Sequence, residues 1–353
     1  MKADDFTLYN NADYFRQLLH DITAAKWGDR ILVASMTYNV LDPLVAELMG
    51  LLKAAAQRGI DVHLLVDART FLTRQSNVPG PLWFNPALER SLPPPFRENY
   101  ESLKSLKQSG GHFTITNLPG KPFTNTSAGR SHIKTAIIND QVYVGGCNLQ
   151  DASFTDIMVK FTDRHTAGWL YKHMLTIART GSTQKAFQGH DQTFDINAST
   201  QLFLDAGKPN QSIILENAYD LIDTAQDWIY LTCQFFPGGK TAQHLLAAHK
   251  RGVSVQIVYA HPSIHGLLGP AHQLYTLRER MRMPVSFFTG RLAKTAPTLH
   301  AKVLATEQGV IVGSHNYVTA GVSFGTAEIA MRFTNPEFSQ KLKDFIQSEI
   351  KPQ

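Results

Sequence analysis

Cysteine is nearly absent from this chain. Two thiols, Cys147 and Cys233, cannot build a disulfide framework, and no CxxC pair or Cys/His cluster offers a zinc site. Long apolar runs are lacking too, since no stretch approaches the roughly 18 unbroken apolar residues of a membrane span. The most apolar segment, Leu41 to Ala56, is interrupted by Asp42, Glu47 and Lys53 and reads as a buried amphipathic helix. The opening MKADDFTLYNNADYF has no apolar core and no cleavage-site pattern, so no signal peptide is expected. A cytoplasmic location follows as the expectation, with peripheral contact at a membrane surface as the nearest approach to lipid. Strong charge of one sign is missing as well. The formal net charge is +5 and the pI about 9.1, a mild basic balance that suits nucleic acid or anionic lipid without requiring either. What the chain does have is apolar material, 43% of its residues against 18% charged, enough for a substantial core in one large or two ordinary domains.

The chain also has internal repetition. The strand-like RILVAS (Arg30 to Ser35) is followed by a helical stretch ending in LLKAAAQRG and by the strand-like IDVHLLVD (Ile60 to Asp67). After the midpoint the same order returns as WIYLTCQFF (Trp228 to Phe236), HLLAAHKRG and VSVQIVYA (Val253 to Ala260). An Arg-Gly pair closes each helix, Arg58-Gly59 and Arg251-Gly252, with glycine for the left-handed position and arginine to complement the helix dipole. A tighter match aligns SHIKTAIINDQVYVGGCN (Ser131 to Asn148) with LHAKVLATEQGVIVGSHN (Leu299 to Asn316) without a gap. Each reads as two strands and a tight turn. Alternating strands and helices predict an α/β fold of two similar halves, each a central mixed sheet flanked by helices. The expected division is 1–185 with the first motif and 186–353 with the second. The Arg-Gly pair lies farther ahead of the motif in the first half, and the surplus is assigned to the proline-rich Thr73 to Phe96. That segment is either a surface loop or a substrate lid tipped by Trp83 and Phe84.

A single His-x-Lys carries little weight, because a lone histidine beside a strand is more often a satisfied structural residue. Two copies bringing His, Lys, a small-residue pair and Asn at matching offsets are different, since packing repeats need apolar positions rather than paired His and Lys. Splitting a phosphodiester without a metal needs a nucleophile, an acid for the leaving group and donors for the phosphoryl oxygens. One imidazole can attack phosphorus, and a second can protonate the leaving oxygen. Lysines and asparagines on rigid strands can hold the equatorial oxygens.

The two motifs resemble the HxKxxxxD signature of the phospholipase D superfamily and its G-S/G-x-N element. The helix-strand units are similar to those of cardiolipin synthase-like members. The resemblance covers nearly the whole chain and implies a pseudo-twofold fold with one active site between the halves. It implies His132 and His300 as the catalytic pair, with His132 as nucleophile and His300 as acid. Lys134 and Lys302 become phosphate-binding lysines. Asn148 and Asn316, with Gly146 and Ser314 beside them, form the phosphate-side element. Glu328, in GTAEIAM, resembles the family's acidic residue that orients a catalytic histidine, and Asp156, in FTDIMV, is a looser counterpart. An ordinary charge at a strand edge is the alternative for both. The sequence departs from the family where the motif aspartate is expected: Asn139, followed by Asp140, stands in the first copy and Glu307 in the second. These are expected to support the turn. No metal or other cofactor is expected, and one chain carries the whole site, so a monomer suffices.

The substrate stays open between readings. A phospholipid, with water or an alcohol as acceptor, fits the helix-strand units and the apolar segments Ser263 to Pro270 and Trp83-Phe84. A nuclease fits the basic balance and the cluster Arg278, Arg280, Arg282, although a solvated face explains that cluster equally. A binding scaffold without catalysis is the third reading, and the two intact His-Lys pairs argue against it.

Overall fold

Ile31, Leu32, Val33 and Ala34 are apolar in succession, so a strand built from them must be covered on both faces. The computed structural model, which describes residues 5–72, 80–81, 84–119, 128–150, 152–260, 269–288 and 299–350, meets that condition in two seven-stranded sheets. The first contains β1 (Thr7–Asn10), β2 (Arg30–Ser35), β3 (Asp61–Asp67), β4 (His112–Thr116), β5 (Thr135–Ile138), β6 (Gln141–Gly145) and β7 (Ile157–Thr162), in the order β1-β7-β6-β5-β2-β3-β4. The second contains β8 (Gln192–Asn197), β9 (Thr200–Asp205), β10 (Trp228–Cys233), β11 (Ser254–Tyr259), β12 (Val303–Thr306), β13 (Val310–Gly313) and β14 (Glu328–Phe333), in the order β11-β10-β12-β13-β14-β9-β8. Both sheets are mixed. The β2–β3 and β10–β11 pairs are parallel, whereas the motif hairpins β5–β6 and β12–β13 are antiparallel.

Ten α-helices accompany the sheets among the described residues, besides short 3-10 turns: α1 (Asn11–Ala24), α2 (Pro43–Gln57), α3 (Pro94–Gln108), α4 (Arg164–Thr180), α5 (Thr183–Phe187), α6 (Ile213–Thr224), α7 (Lys240–Lys250), α8 (Gly269–Arg280), α9 (Thr319–Ser323) and α10 (Pro336–Glu349). Local chemistry starts them in the same way in both halves. Asp163 and Asn335 cap α4 and α10 through side-chain oxygens that accept from Thr166 N and Phe338 N. None of the described helices is long and apolar enough to cross a membrane.

Successive residues of the central strands serve two cores. Leu32 and Ala34 of β2, Ile137 of β5, Val303 and Ala305 of β12 and Val312 of β13 join α4 and α10 in one cluster shared by both halves. Ile31 and Val33 face α1, α2 and α3 in a second cluster. On the other side, Leu304 and Ile311 face α6 and α7 in a third. This layering holds the two halves against each other through apolar burial, which contributes about 25 cal/mol per Å² removed from water.

Three expectations need correction. The surplus of the first half is not confined to Thr73–Phe96, because it also includes the edge strand β4, which pairs in parallel with β3. Phe84 is no lid tip: it is 1% exposed and stacks on Phe71 with ring centroids 4.2 Å apart. Trp83 lies outside the described residues, as do 261–268, which hold most of the second apolar segment. Gly59 and Gly252 do take left-handed φ values of +81° and +95°. The arginines before them, however, serve a neighbouring helix rather than their own. Arg58 donates to the carbonyls of Ile22 and Ala25 at the end of α1, and Arg251 to those of Ile222 and Ala225 at the end of α6. These carbonyls stand at helix ends, where Ile22 O accepts only a 3.3 Å bond from Ala25 N, so a guanidinium reaching across finds both charge and geometry in its favour.

Candidate active site

His132 enters the site just ahead of β5, and His300 just ahead of β12. Each is anchored by backbone from the opposite half. His132 N donates to Ala327 O at 2.7 Å, and Ala327 N returns a bond to Arg130 O at 2.8 Å. In the mirror arrangement, His300 N and Ala301 N both donate to Thr155 O at 2.9 Å. The residues that follow these anchors, Glu328 and Asp156, then receive the imidazoles. His132 Nδ1 lies 2.8 Å from Glu328 Oε2, and His300 Nδ1 contacts Asp156 Oδ2. A carboxylate accepts only, so each Nδ1 carries the proton and each Nε2 is left with its lone pair. Glu328 and Asp156 are therefore equivalent partners, and the pairing crosses between halves.

The glycine pairs follow from the same close approach. A Cβ on Gly145 would overlap Ile157 O, and one on Gly313 would overlap Ile329 O. A Cβ on Gly146 would overlap the Asp156 carboxylate. At the matching position Ser314 uses its hydroxyl on Glu328 and exchanges bonds with the backbone of Ile329. Gly146 and Ser314, grouped by resemblance with the phosphate ligands, thus sit against the orienting carboxylates instead. The second half has room for a longer acid and supplies a hydroxyl to it; the first has a shorter acid and no side chain.

Both lysines lie beneath the histidines. Lys134 is fully buried with Nζ 2.9 Å from His132 O, and Lys302 Nζ contacts His300 O in the same way. Burial pulls Lys134 down to about 7 and Lys302 to about 8. Burial, with the nearby lysine charges, also pushes both imidazoles down, His300 to about 4 and His132 well below its ordinary value. The carboxylates differ. Burial raises Glu328 despite the neighbouring His315 and Lys134, whereas the Lys302 and His300 charges overcome the burial of Asp156 and hold it low. The two asparagines differ as well. Asn148 Oδ1 is within 3.5 Å of Ser35 Oγ, while Asn316 Oδ1 is buried with no hydrogen bond among the described residues.

Asn139 and Glu307 tie each hairpin turn to the start of a central strand. Asn139, at φ +53°, donates from its backbone to Arg30 O and accepts from Arg30 N. Glu307 accepts from the backbone of Gln226, Asp227 and Trp228. The Asp140 carbonyl accepts from Asp163 N. Asp67, not singled out from sequence, fixes the entry to the first motif: its buried carboxylate accepts from Ser131 N and Asn117 Nδ2 and pairs with Arg130. No motif marks it. The equivalence of Asp156 and Glu328 did have a signal, the match of DIMVKFTD (156–163) with EIAMRFTN (328–335), which lies beyond the aligned motifs. Among the described residues one group has metal-ligand spacing, Asp61, His63 and His112 on β3 and β4, and it contains none of these site residues.

A family model described as cardiolipin synthase, PLD-like domain, matches residues 18–175 and 219–350. No curated protein sequence matches the chain. Among solved structures, the chain is similar to phosphatidylserine synthase from Haemophilus influenzae Rd KW20, with a TM-score of 0.74 at 16% identity, over 99% of this chain and 87% of that one. It is also similar to polyphosphate kinase from Porphyromonas gingivalis, with a TM-score of 0.57 at 12% identity, over 98% of this chain and 50% of that one. At such identities these two likenesses speak for the fold alone. With paired motifs converging from two halves and the family match spanning both, the chain belongs to the phospholipase D superfamily, in its cardiolipin synthase-like family.

Proposed function

We propose that this chain hydrolyses or exchanges the head-group phosphodiester of phospholipids through a covalent phosphohistidine. The observation that carries the reading is the crossed pairing of His132 with Glu328 and His300 with Asp156 above two buried lysines. His132 Nε2 attacks phosphorus while its Nδ1–H stays on Glu328. The P–O bond to the leaving alcohol breaks, and His300, which takes up a second proton at Nε2 as the anionic diester binds, supplies that proton to the leaving oxygen. His300 then takes a proton from water or an incoming alcohol, whose oxygen attacks phosphorus and releases His132. Lys134 and Lys302 hold the charge on the non-bridging oxygens.

The electrostatics favour this division of roles. Burial and the lysine charges hold His132 deprotonated, as a nucleophile must be, and the ionised Asp156 beside His300 favours an imidazolium there. An arriving diester brings negative charge and raises the basicity of His300 further. The test is turnover in excess EDTA, with phosphatidylglycerol or phosphatidylcholine vesicles plus an alcohol in one arm and single-stranded DNA in the other. The expected result is a transphosphatidylated or hydrolysed lipid, absent for His132→Ala and for His300→Ala. DNA cleavage without lipid turnover overturns the reading in favour of a nuclease. Substantial turnover in either histidine variant overturns the mechanism.

A further inference from the structure

Half of the large apolar side chains that stand exposed among the described residues belong to α8 or its last turn: Leu274, Tyr275, Leu277 and Met281. Leu274 is 70% exposed, Leu277 55% and Met281 74%, so this is a contiguous stripe rather than scattered edges. Met281 N donates to Leu277 O, which continues the helical turn and places 274, 277 and 281 on one side. The opposite side, Thr276 and Glu279 with Met283 just beyond, is buried. An ordinary surface helix turns its apolar face inward, and this one turns it outward. Arg278 and Arg282 flank the stripe, their side chains 66% and 56% exposed. Glu279, the one acid between 269 and 282, pairs with Arg282 at 3.0 Å and leaves the segment net positive.

The helix lies at the end of the second sheet that carries the chemistry. Thr232, near the end of β10, is opposite Val303, so the chain leaves β10 beside Lys302. That departing segment seats α8, because a Cβ on Gly238 would overlap the Tyr275 phenol oxygen and press on Glu279. Arg280 bonds Tyr259 at the end of β11. The neighbouring Gly239 faces Thr319 of α9, the helix that follows Asn316.

We propose that α8 is the lipid-docking surface of this protein, with Leu274, Leu277 and Met281 entering the acyl boundary of an anionic membrane and Arg278 and Arg282 meeting its phosphates. An outward apolar stripe flanked by cations is the pattern that lies in an interface plane. A nucleic acid would match the arginines but not the leucines, and a second copy of the chain would bring arginines against arginines. The proposal rests on the phospholipid reading above and adds the surface by which that substrate is approached.

The experiment is co-sedimentation of the full chain with vesicles of phosphatidylglycerol and phosphatidylcholine, comparing wild type with the Leu274→Ser, Leu277→Ser, Met281→Ser protein. Turnover is followed on vesicles and on a monomeric short-chain phospholipid. Wild type is expected to pellet with the anionic vesicles. The serine variant is expected to lose roughly tenfold or more in vesicle binding and vesicle turnover, with its melting temperature and short-chain turnover unchanged. A second variant, Arg278→Glu with Arg282→Glu, is expected to lose the preference for anionic over zwitterionic vesicles. Wild type that stays in the supernatant, or a serine variant that binds like wild type, overturns the proposal. So does a wild-type dimer that the serine changes convert to monomer without any vesicle binding. Vesicle binding through α8 without lipid turnover supports the docking surface and overturns the lipid chemistry instead. Lipid turnover with binding independent of α8 does the reverse.

Discussion

His132 and Glu328 are 196 residues apart in the chain and 2.8 Å apart in the fold. Together with the reciprocal contact of His300 and Asp156, this builds the candidate site from both halves at once. Each half supplies a histidine it cannot orient and a carboxylate for the other's histidine. A charge at a strand edge, the plainer reading of both acids, does not describe buried groups that each receive an imidazole.

Removing either carboxylate charge while keeping its shape is expected to lower kcat by roughly 10²-fold or more, with KM little changed, because these groups position the histidines rather than bind substrate. Glu328→Gln and Asp156→Asn test this in steady-state kinetics. The two should differ in pH profile. Asp156→Asn removes the anion that stabilises a protonated His300, so the alkaline limb, on which that acid is lost, is expected to move to lower pH, while Glu328→Gln leaves that limb in place. Unchanged kcat in both variants would sink the positioning role.

Gly146→Ala is expected to abolish most turnover, because the added methyl occupies the place of the Asp156 carboxylate. Gly168→Ala is the control. That position is inside α4 and has open space around it, so the change is expected to stabilise the helix by about 0.5–1 kcal/mol. Chemical denaturation and activity read the two effects separately.

The buried lysines predict an unusual pH dependence of stability. Their folded values, about 7 and about 8, lie below the ordinary lysine value, so the unfolded chain binds more protons between those values and about 10.5. Their contribution to stability therefore rises with pH from about 7 toward 10. Lys134→Met and Lys302→Met are expected to flatten this rise in melting temperature. Binding runs the other way: a phosphate-like inhibitor such as vanadate needs the protonated ammonium and is expected to inhibit better at pH 6.5 than at pH 8.5. Equal inhibition at both would argue against lysines as the anion ligands.

Arg58→Met and Arg251→Met are each expected to destabilise the protein by about 1 kcal/mol, by exposing two helix-end carbonyls in α1 or α6 to weaker partners. Activity per folded molecule should not change. Urea denaturation measures the first, and active-site titration the second.

Whatever lies within one hairpin or one helix-strand unit is legible in the order of residues alone. The aligned copies around His132 and His300 carry the strands, the turns and the lysines, because period-two apolar patterning and turn residues act over a few positions. The α/β class and the two halves follow from repeating those units. The tertiary structure decided everything that crosses between units. Arg58 points to another helix, Phe84 packs on Phe71, and Ser314 meets Glu328, because buried polar and aromatic groups take whichever partner the packed chain brings closest. The crossing of His132 to Glu328 and of His300 to Asp156 is of this kind. It is created by the two halves closing face to face over one shared apolar core, a contact that no residue records in its own neighbourhood.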